Sequence, residues 1–517
     1  MRARSLSAVP VALGSELSLQ DVMQVARGER VELPSFAVER MRASRAVVEQ
    51  AVASDETVYG VTTGFGSLAQ VRIAHEQAAE LQSGIVRSHA VAVGAPLSEE
   101  ETRAMLLLRA HVLALGYSGV RVELVERMAE MLNRNLLPVV PEQGSLGASG
   151  DLAPLAHLAL PLIGLGEMHG RDGRREPAAN VLDRASLGPL ELEAKEGLAL
   201  VNGTQGMLAI GIVAADRLSR LVKLADVAAA MSVEAALGTD RPFEERLQRL
   251  RPHRGQAASA ANLRTLMSGS QIVASHRESG HLVQDAYSLR CAPQVHGATR
   301  DVLAFTTGVL RTEAGSVSDN PVVFADDGDL ASGGNFHGQP VATALDALAL
   351  AVVPMASVSE RRLYRLLDPS LNNGLPAFLI GESGVNSGLM LAQYTAASLV
   401  SESKSLAHPA SVDSIPSSAG QEDHVSMGMT SARHLRSVVA NAEIVVALEL
   451  LGAAQALDLR EGLRPGEGSG AARDAIRERV PFLEADRELR GDIGDVVELV
   501  RGAALLERVE DAVGALN

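Results

Sequence analysis

A chain of 517 residues with 46% hydrophobic content is long enough for a large core or several lobes. Its formal net charge of −16 repels polyanions, so nucleic acid and anionic membrane surfaces are poor partners, and a cytoplasmic enzyme fits better. A single cysteine, Cys291, rules out an internal disulfide and argues against a cysteine-based metal site.

The Met-Arg-Ala-Arg opening leads into an apolar stretch broken by Pro10, too short for the core of a signal peptide. Residues 15–54 mix short helical patterns with loops. In Tyr59-Gly60-Val61-Thr62-Thr63-Gly64-Phe65-Gly66 the clustered glycines predict a flexible turn, and the helix-opening GxGxxG spacing of a nucleotide loop is missing. Residues 81–90 are amphipathic and end in Arg87-Ser88-His89-Ala90, where a single His is ordinarily structural. Ser98-Glu99-Glu100-Glu101 is a capping box that predicts a helix to about Leu115, stopped at Gly116. A second helix is expected over 121–134.

The most informative stretch is Gly144-Ser145-Leu146-Gly147-Ala148-Ser149-Gly150-Asp151-Leu152. Bent sharply enough, the amide nitrogen of Gly150 can attack the carbonyl of Ala148, because glycine has no Cβ to block the approach. Loss of water closes a five-membered imidazolone. Loss of the Ser149 hydroxyl then leaves an exocyclic methylidene, a strong electrophile made without a bound cofactor. Asp151 reads as the cap of the apolar helix that follows, with Pro154 tolerated in its first turn.

Residues 166–190 read as a surface loop or hairpin. Asn202-Gly203 reads as a turn before an apolar, buried helix over 206–237. Arg251-Pro252-His253-Arg254 is a basic loop with no obvious chemistry. Arg290 stands in a low-charge stretch and needs a partner, for which a bidentate carboxylate is the natural choice. Ser318-Asp319-Asn320-Pro321 and residues 333–339 have turn composition. A β-lactamase reading of Ser318-Asp319-Asn320 fails, because the Ser401-x-x-Lys404 element follows it and Lys-Thr-Gly is missing. Long helical patterns fill 340–410, and Ala344–Val358, which carries Asp346, reads as a buried helix and not a membrane span. On priors Met390 is a core gap-filler. Gln421-Glu422-Asp423-His424 places carboxylates in a polar stretch. Pro465-Gly466-Glu467-Gly468-Ser469-Gly470 is expected to open a linker, followed by charged amphipathic helices. No HExxH or paired-Cys motif suggests a metal.

The blocks at 59–66, 87–90, 144–157, 202–205, 284–297, 333–339, 384–390 and 421–427 resemble, in order, the aromatic amino acid ammonia-lyases and aminomutases. That family carries a self-made methylidene-imidazolone (MIO) group. The resemblance implies a mainly α, fumarase/aspartase-like fold with a long central helical bundle and a smaller N-terminal lobe. Residues 1–115 would form that lobe, with Tyr59 and His89, and residues 116–517 the bundle region. It implies a homotetramer whose active sites draw on three subunits, an MIO built from Ala148, Ser149 and Gly150, and no external cofactor or metal. Tyr59 would be the catalytic base, at a lowered pKa, since free tyrosine titrates near ~10. Asn202 would polarise the ring or hold its oxygen, and Tyr287 and Phe336 would lie close to it. Arg290 would take the substrate carboxylate, while Gln284, Met390 and Gln421 would line the substrate pocket. His89 suits a polar ring, of histidine or tyrosine. Glu422 would hydrogen-bond an imidazole or assist proton transfer; beside a plain phenyl ring it would be a costly unpaired carboxylate. The expected reaction is deamination of L-histidine to trans-urocanate and ammonia, with a tyrosine lyase or a 2,3-aminomutase as the alternative. An aspartase-type lyase without MIO shares the architecture but not the self-processing segment. An inactive scaffold is disfavoured by intact Tyr59 and Arg290.

Overall fold

The computed structural model describes residues 9–54, 56–68, 70–73, 77–146, 149–170, 173–279 and 283–517. Ala148 of the Ala148-Ser149-Gly150 triplet, from which the resemblance implies an MIO, lies outside the described residues. Helices dominate, as expected for a chain rich in Ala and Leu. Among the described residues the strands form four two-stranded pairs, one of them the antiparallel hairpin Glu167–His169 with Arg175–Pro177. That hairpin was expected within 166–190, but the region also holds the helix Ala178–Arg184.

The chain divides into two compact units. The first comprises Met1–Val213, Thr307–Leu345 and Ala410–Arg433; the second comprises Ala214–Thr306, Asp346–Pro409 and His434–Asn517. Four long helices, Gln205–Ala235, Ala292–Ala314, Gln339–Leu367 and Gly428–Asp458, supply residues to both.

In the first unit the helix Glu99–Ala114 starts with the predicted capping box. Ser98 Oγ accepts from the Glu101 amide at 3.2 Å, and the Glu101 carboxylate accepts from the Ser98 amide at 2.9 Å. It ends at the expected place, where Gly116 adopts φ 81°. It is buried along almost its whole length, Arg109 and His111 included. The apolar helix Leu152–Ala159 packs against the helices Ala78–His89 and Glu196–Val201.

Asp151 does not cap its own helix. Its Oδ2 instead accepts from the amides of Gly206 (2.8 Å) and Met207 (3.0 Å), and so caps the first turn of Gln205–Ala235. The sequence shows only the nearer helix. The farther one wins because two buried N–H groups there need an acceptor.

The second unit buries charge by pairing it. Asp226 Oδ1 accepts from Ser259 Oγ (2.5 Å) and His296 Nδ1 (2.7 Å), and its Oδ2 from Arg300 (2.7 Å) and Asn262 (2.9 Å). Arg362 grips Glu449 with both nitrogens, at 2.5 and 2.8 Å, while Ser232 and Ser359 complete the carboxylate at 2.7 and 2.6 Å. These groups sit on all four long helices, so the network ties them together within this unit. The expected linker near 465 is instead the start of the helix Glu467–Arg477. Gly466 donates to Glu234 at 2.7 Å, and Gly468 lies against Leu266, where a side chain has no room.

Three helical stretches, Glu196–Ala235, Gln339–Leu367 and Gly428–Asp458, are long and apolar enough to cross a membrane by length and composition alone. Their most apolar windows are 100%, 56% and 78% buried inside the protein. Packing against protein therefore accounts for much of their apolarity.

Candidate active site

A cavity of about 480 Å³ lies in the first unit, lined by Tyr59, His89, Asn202, Phe336 and Glu422 among others. Five residues separated widely in sequence thus line one cavity. The Tyr59 loop is a set of tight turns. Tyr59 Oη accepts from the Gly66 amide at 2.9 Å, and Gly66 adopts φ 57°, which favours glycine. Burial pushes the Tyr59 phenol up, the Gly66 N–H opposes this, and the Glu422 charge adds to the rise. The expectation of a lowered tyrosine pKa is therefore reversed within this chain: one N–H does not outweigh desolvation and a nearby carboxylate.

His89 ends the helix Ala78–His89. Its Nδ1 lies 2.9 Å from the Ile85 carbonyl, which only accepts, so Nδ1 carries the proton and Nε2 is an acceptor. Burial lowers its pKa, against the Ile85 carbonyl and Glu422, so the ring is neutral at pH 7. Phe65 tilts against it with ring centroids 5.3 Å apart. Glu422 accepts from Ser417 Oγ at 2.7 Å.

Asn202 is almost buried. Its Nδ2 donates to the Asn320 carbonyl at 3.3 Å, and its own carbonyl accepts from Arg109 at 2.8 Å. Arg109 also donates to Gln205 Oε1 (2.9 Å), and Gln205 Nε2 donates to Ser318 Oγ (2.7 Å). Ser318-Asp319-Asn320 is thus more than a turn. Asp319 is fully buried in an ion pair with Lys195 at 2.7 Å. Burial works against the Asp319 charge, yet Lys195 and Arg109 hold its pKa below the usual carboxylate range.

The ends of segment 144–153 line this cavity as well. Ser149 is fully buried and its Oγ has no hydrogen-bond partner. Gly150 adopts φ 84°, and a Cβ there would collide with Met207 Cε. Ser145 Oγ donates to the Gly150 carbonyl. A buried, unpartnered hydroxyl beside a glycine whose positive φ strains any side chain fits an MIO ring at this segment. Asp151, pushed up to about 7 by burial, is the adjoining carboxyl.

Not every candidate meets at this cavity. Gln421 is exposed and does not line it. Gln284, Tyr287, Arg290 and Met390 belong to the second unit and do not line it either. Arg290 lies over the Tyr287 ring, 4.7 Å from its centroid, and Tyr287 is 72% exposed. The cavity also recruits Phe65, Ser145, Asn320, Ser417 and Ser418, which sequence reasoning did not single out. Phe65 and Asn320 lie inside strings that were read as turns. Ser417-Ser418 carries no signal beyond a polar loop.

Comparison with known proteins agrees with this geometry. The family described as aromatic amino acid lyase matches residues 17–478. Histidine ammonia-lyase of Sorangium cellulosum (strain So ce56) is 54% identical over 98% of this chain and 100% of its own length. The enzyme of the same name from Symbiobacterium thermophilum is 53% identical over 98% and 99%. Among solved structures, histidine ammonia-lyase from Trypanosoma cruzi superposes with a TM-score of 0.90 at 43% identity, over 98% of this chain and 96% of that one. Tyrosine aminomutase from Streptomyces globisporus gives 0.93 at 38%, over 98% and 100%. The fumarase/aspartase-like architecture expected from the sequence is therefore the fold of this chain. By sequence, fold and the arrangement of its cavity, the chain belongs to the aromatic amino acid lyase family.

Proposed function

We propose that this chain deaminates L-histidine non-oxidatively to trans-urocanate and ammonia, in histidine degradation. The observation that carries the reading is the pairing of two acceptors, neutral His89 and Glu422, in the cavity that also holds Tyr59. A neutral imidazole donates its N–H to one of them and an imidazolium donates to both, whereas a phenyl ring would leave both unpaired at a cost. Relatives named histidine ammonia-lyase at 54% and 53% identity support the same substrate.

The Cα–N bond of the substrate breaks and its β-proton departs, so a base and a means of expelling the amine are both needed. An MIO formed from Ala148, Ser149 and Gly150 supplies the electrophile that makes the amine a leaving group, and no external cofactor is required. Tyr59 accepts the β-proton. Placing such a base is worth roughly 10²–10⁴ in rate. The Asn202 amide supports developing negative charge in the same cavity. His89 and Glu422 orient the imidazole.

The substrate carboxylate needs a cation. Arg290 is the candidate, with Gln284, Tyr287, Met390 and Gln421 as further pocket residues. In this reading they reach the site from neighbouring subunits of a homotetramer. Exposed Phe305, Leu350, Leu391 and Tyr394, on helices of the second unit, support such self-association. Residues 1–115 act as the lobe that brings Tyr59 and His89, residues 116–517 as the bundle region, and the enzyme works in the cytoplasm.

The test is to incubate the purified protein with L-histidine, L-tyrosine and L-phenylalanine separately and identify the products by near-UV absorbance and chromatography. Urocanate from histidine alone is expected. Coumarate from tyrosine or a β-amino acid product overturns the substrate assignment. Ser149→Ala should lose the MIO absorbance and nearly all turnover; near-normal turnover in that variant refutes the electrophile.

A further inference from the structure

We propose that the turn 417–422 is a positioning device with two arms: Ser417 aims the Glu422 carboxylate at the substrate ring, and Ser418 latches the Tyr59 loop to the same turn. The first arm rests on the reading that Glu422 faces an imidazole.

The turn is built to hold a shape. Ser417 and Glu422 pair as an antiparallel bridge, with the Ser417 amide donating to the Glu422 carbonyl at 2.9 Å and the return bond at 3.3 Å. Between them Ser418 and Ala419 adopt φ 49° and 52°, a region that non-glycine residues occupy only under constraint. Such strain persists where the surroundings fix it, and it collects at functional sites. Ser417 Oγ donates to Glu422 Oε2 at 2.7 Å, and both residues line the cavity. A glutamate side chain has three rotatable bonds, and a hydroxyl on one carboxylate oxygen selects one orientation among them.

The second arm points the other way. Ser418 Oγ accepts from the Ser67 amide at 3.1 Å. A Cβ on Gly66 would lie 2.6 Å from that same oxygen, so the two turns meet at contact distance. Gly66 in turn donates to Tyr59 Oη. A continuous set of contacts therefore runs from Tyr59 through Gly66 and Ser67 to Ser418, and across one peptide to Ser417 and Glu422. The base and the ring acceptor are positioned by one turn.

Three variants test this: Ser417→Ala, Ser417→Thr and Ser418→Ala. Near-UV absorbance first checks that the MIO signature matches the wild type in each. Steady-state kinetics with L-histidine are then combined with inhibition by L-histidinol, which keeps the imidazole, and by L-phenylalanine, which lacks it. Ser417→Ala is expected to lower kcat/KM for L-histidine about tenfold, chiefly through KM, and to weaken histidinol by a similar factor. Phenylalanine inhibition should change less than about twofold. Ser417→Thr keeps the hydroxyl and should recover to within about threefold of wild type. In a Glu422→Gln background, Ser417→Ala should add less than about twofold. Wild-type kinetics in Ser417→Ala, equal losses for both inhibitors, or an undiminished penalty in the Glu422→Gln background each overturn the first arm. A wild type inert toward histidine defeats the functional reading instead, and that result is seen separately. The second arm is read without substrate: Ser418→Ala should speed hydrogen exchange at the Ser67 amide at least tenfold, and unchanged exchange overturns the latch.

Discussion

At the residue scale, Glu422 helps to set the chemistry of Tyr59. Burial and the Glu422 charge favour the phenol form of Tyr59. A base that must lose its proton before it acts gains activity as pH rises, so kcat/KM should climb through an alkaline limb. Glu422→Gln removes a like charge from the phenolate, so the limb should move to lower pH, while the effect of burial stays. A pH profile of kcat/KM for the variant checks this; a stationary or upward-shifted limb contradicts it. The identity of Tyr59 was legible from its glycine-rich string. Its environment was not, because Glu422 becomes a neighbour only in the folded chain, and no local pattern records that approach. Arg290 shows the converse. Its need for a partner was legible, and within this chain it lies over the Tyr287 ring.

At the element scale, helices with strong local signals were readable and their uses were not. The Ser98 capping box and the Gly116 stop were visible in the sequence and hold in the structure. Asp151 obeyed capping chemistry but served a helix that begins more than fifty residues later. The glycines at 466–470 read as a linker because composition cannot distinguish flexibility from close packing. The charge network of the second unit was equally silent, since Asp226, Arg362 and Glu449 look like ordinary helix-surface charges in sequence. Their burial makes them sensitive. Glu449→Ala strands the fully buried Arg362 guanidinium and should cost about 3–5 kcal/mol. Calorimetric unfolding of the variant checks this. A Glu449→Leu/Arg362→Met double variant should recover much of the loss, because no buried charge is then unpaired.

At the scale of the whole molecule, the residues proposed for the site divide between the two units. One unit holds Tyr59, His89, Asn202 and Glu422 around a cavity, and Arg290 belongs to the other. If each working site combines chains, Tyr59→Phe and Arg290→Ala are each inactive alone and complement when mixed. Co-refolding the two at equal amounts should restore about a quarter of wild-type activity, since half the sites receive each intact group. Complete inactivity of the mixture would show that both residues must come from one chain.

The segment around Gly150 carries a consequence for how the protein is made. Its turn is held by residues that the ribosome adds much later. Met207 and Ser426 close over Gly150, and the amides of Gly206 and Met207 engage Asp151. A nascent chain that ends before residue 426 lacks part of the mould. Backbone chemistry that depends on this turn therefore waits until most of the polypeptide has been synthesised and folded. On that schedule the proposed electrophile would first appear inside a finished cavity, and unfolded chains emerging nearby would not be exposed to it.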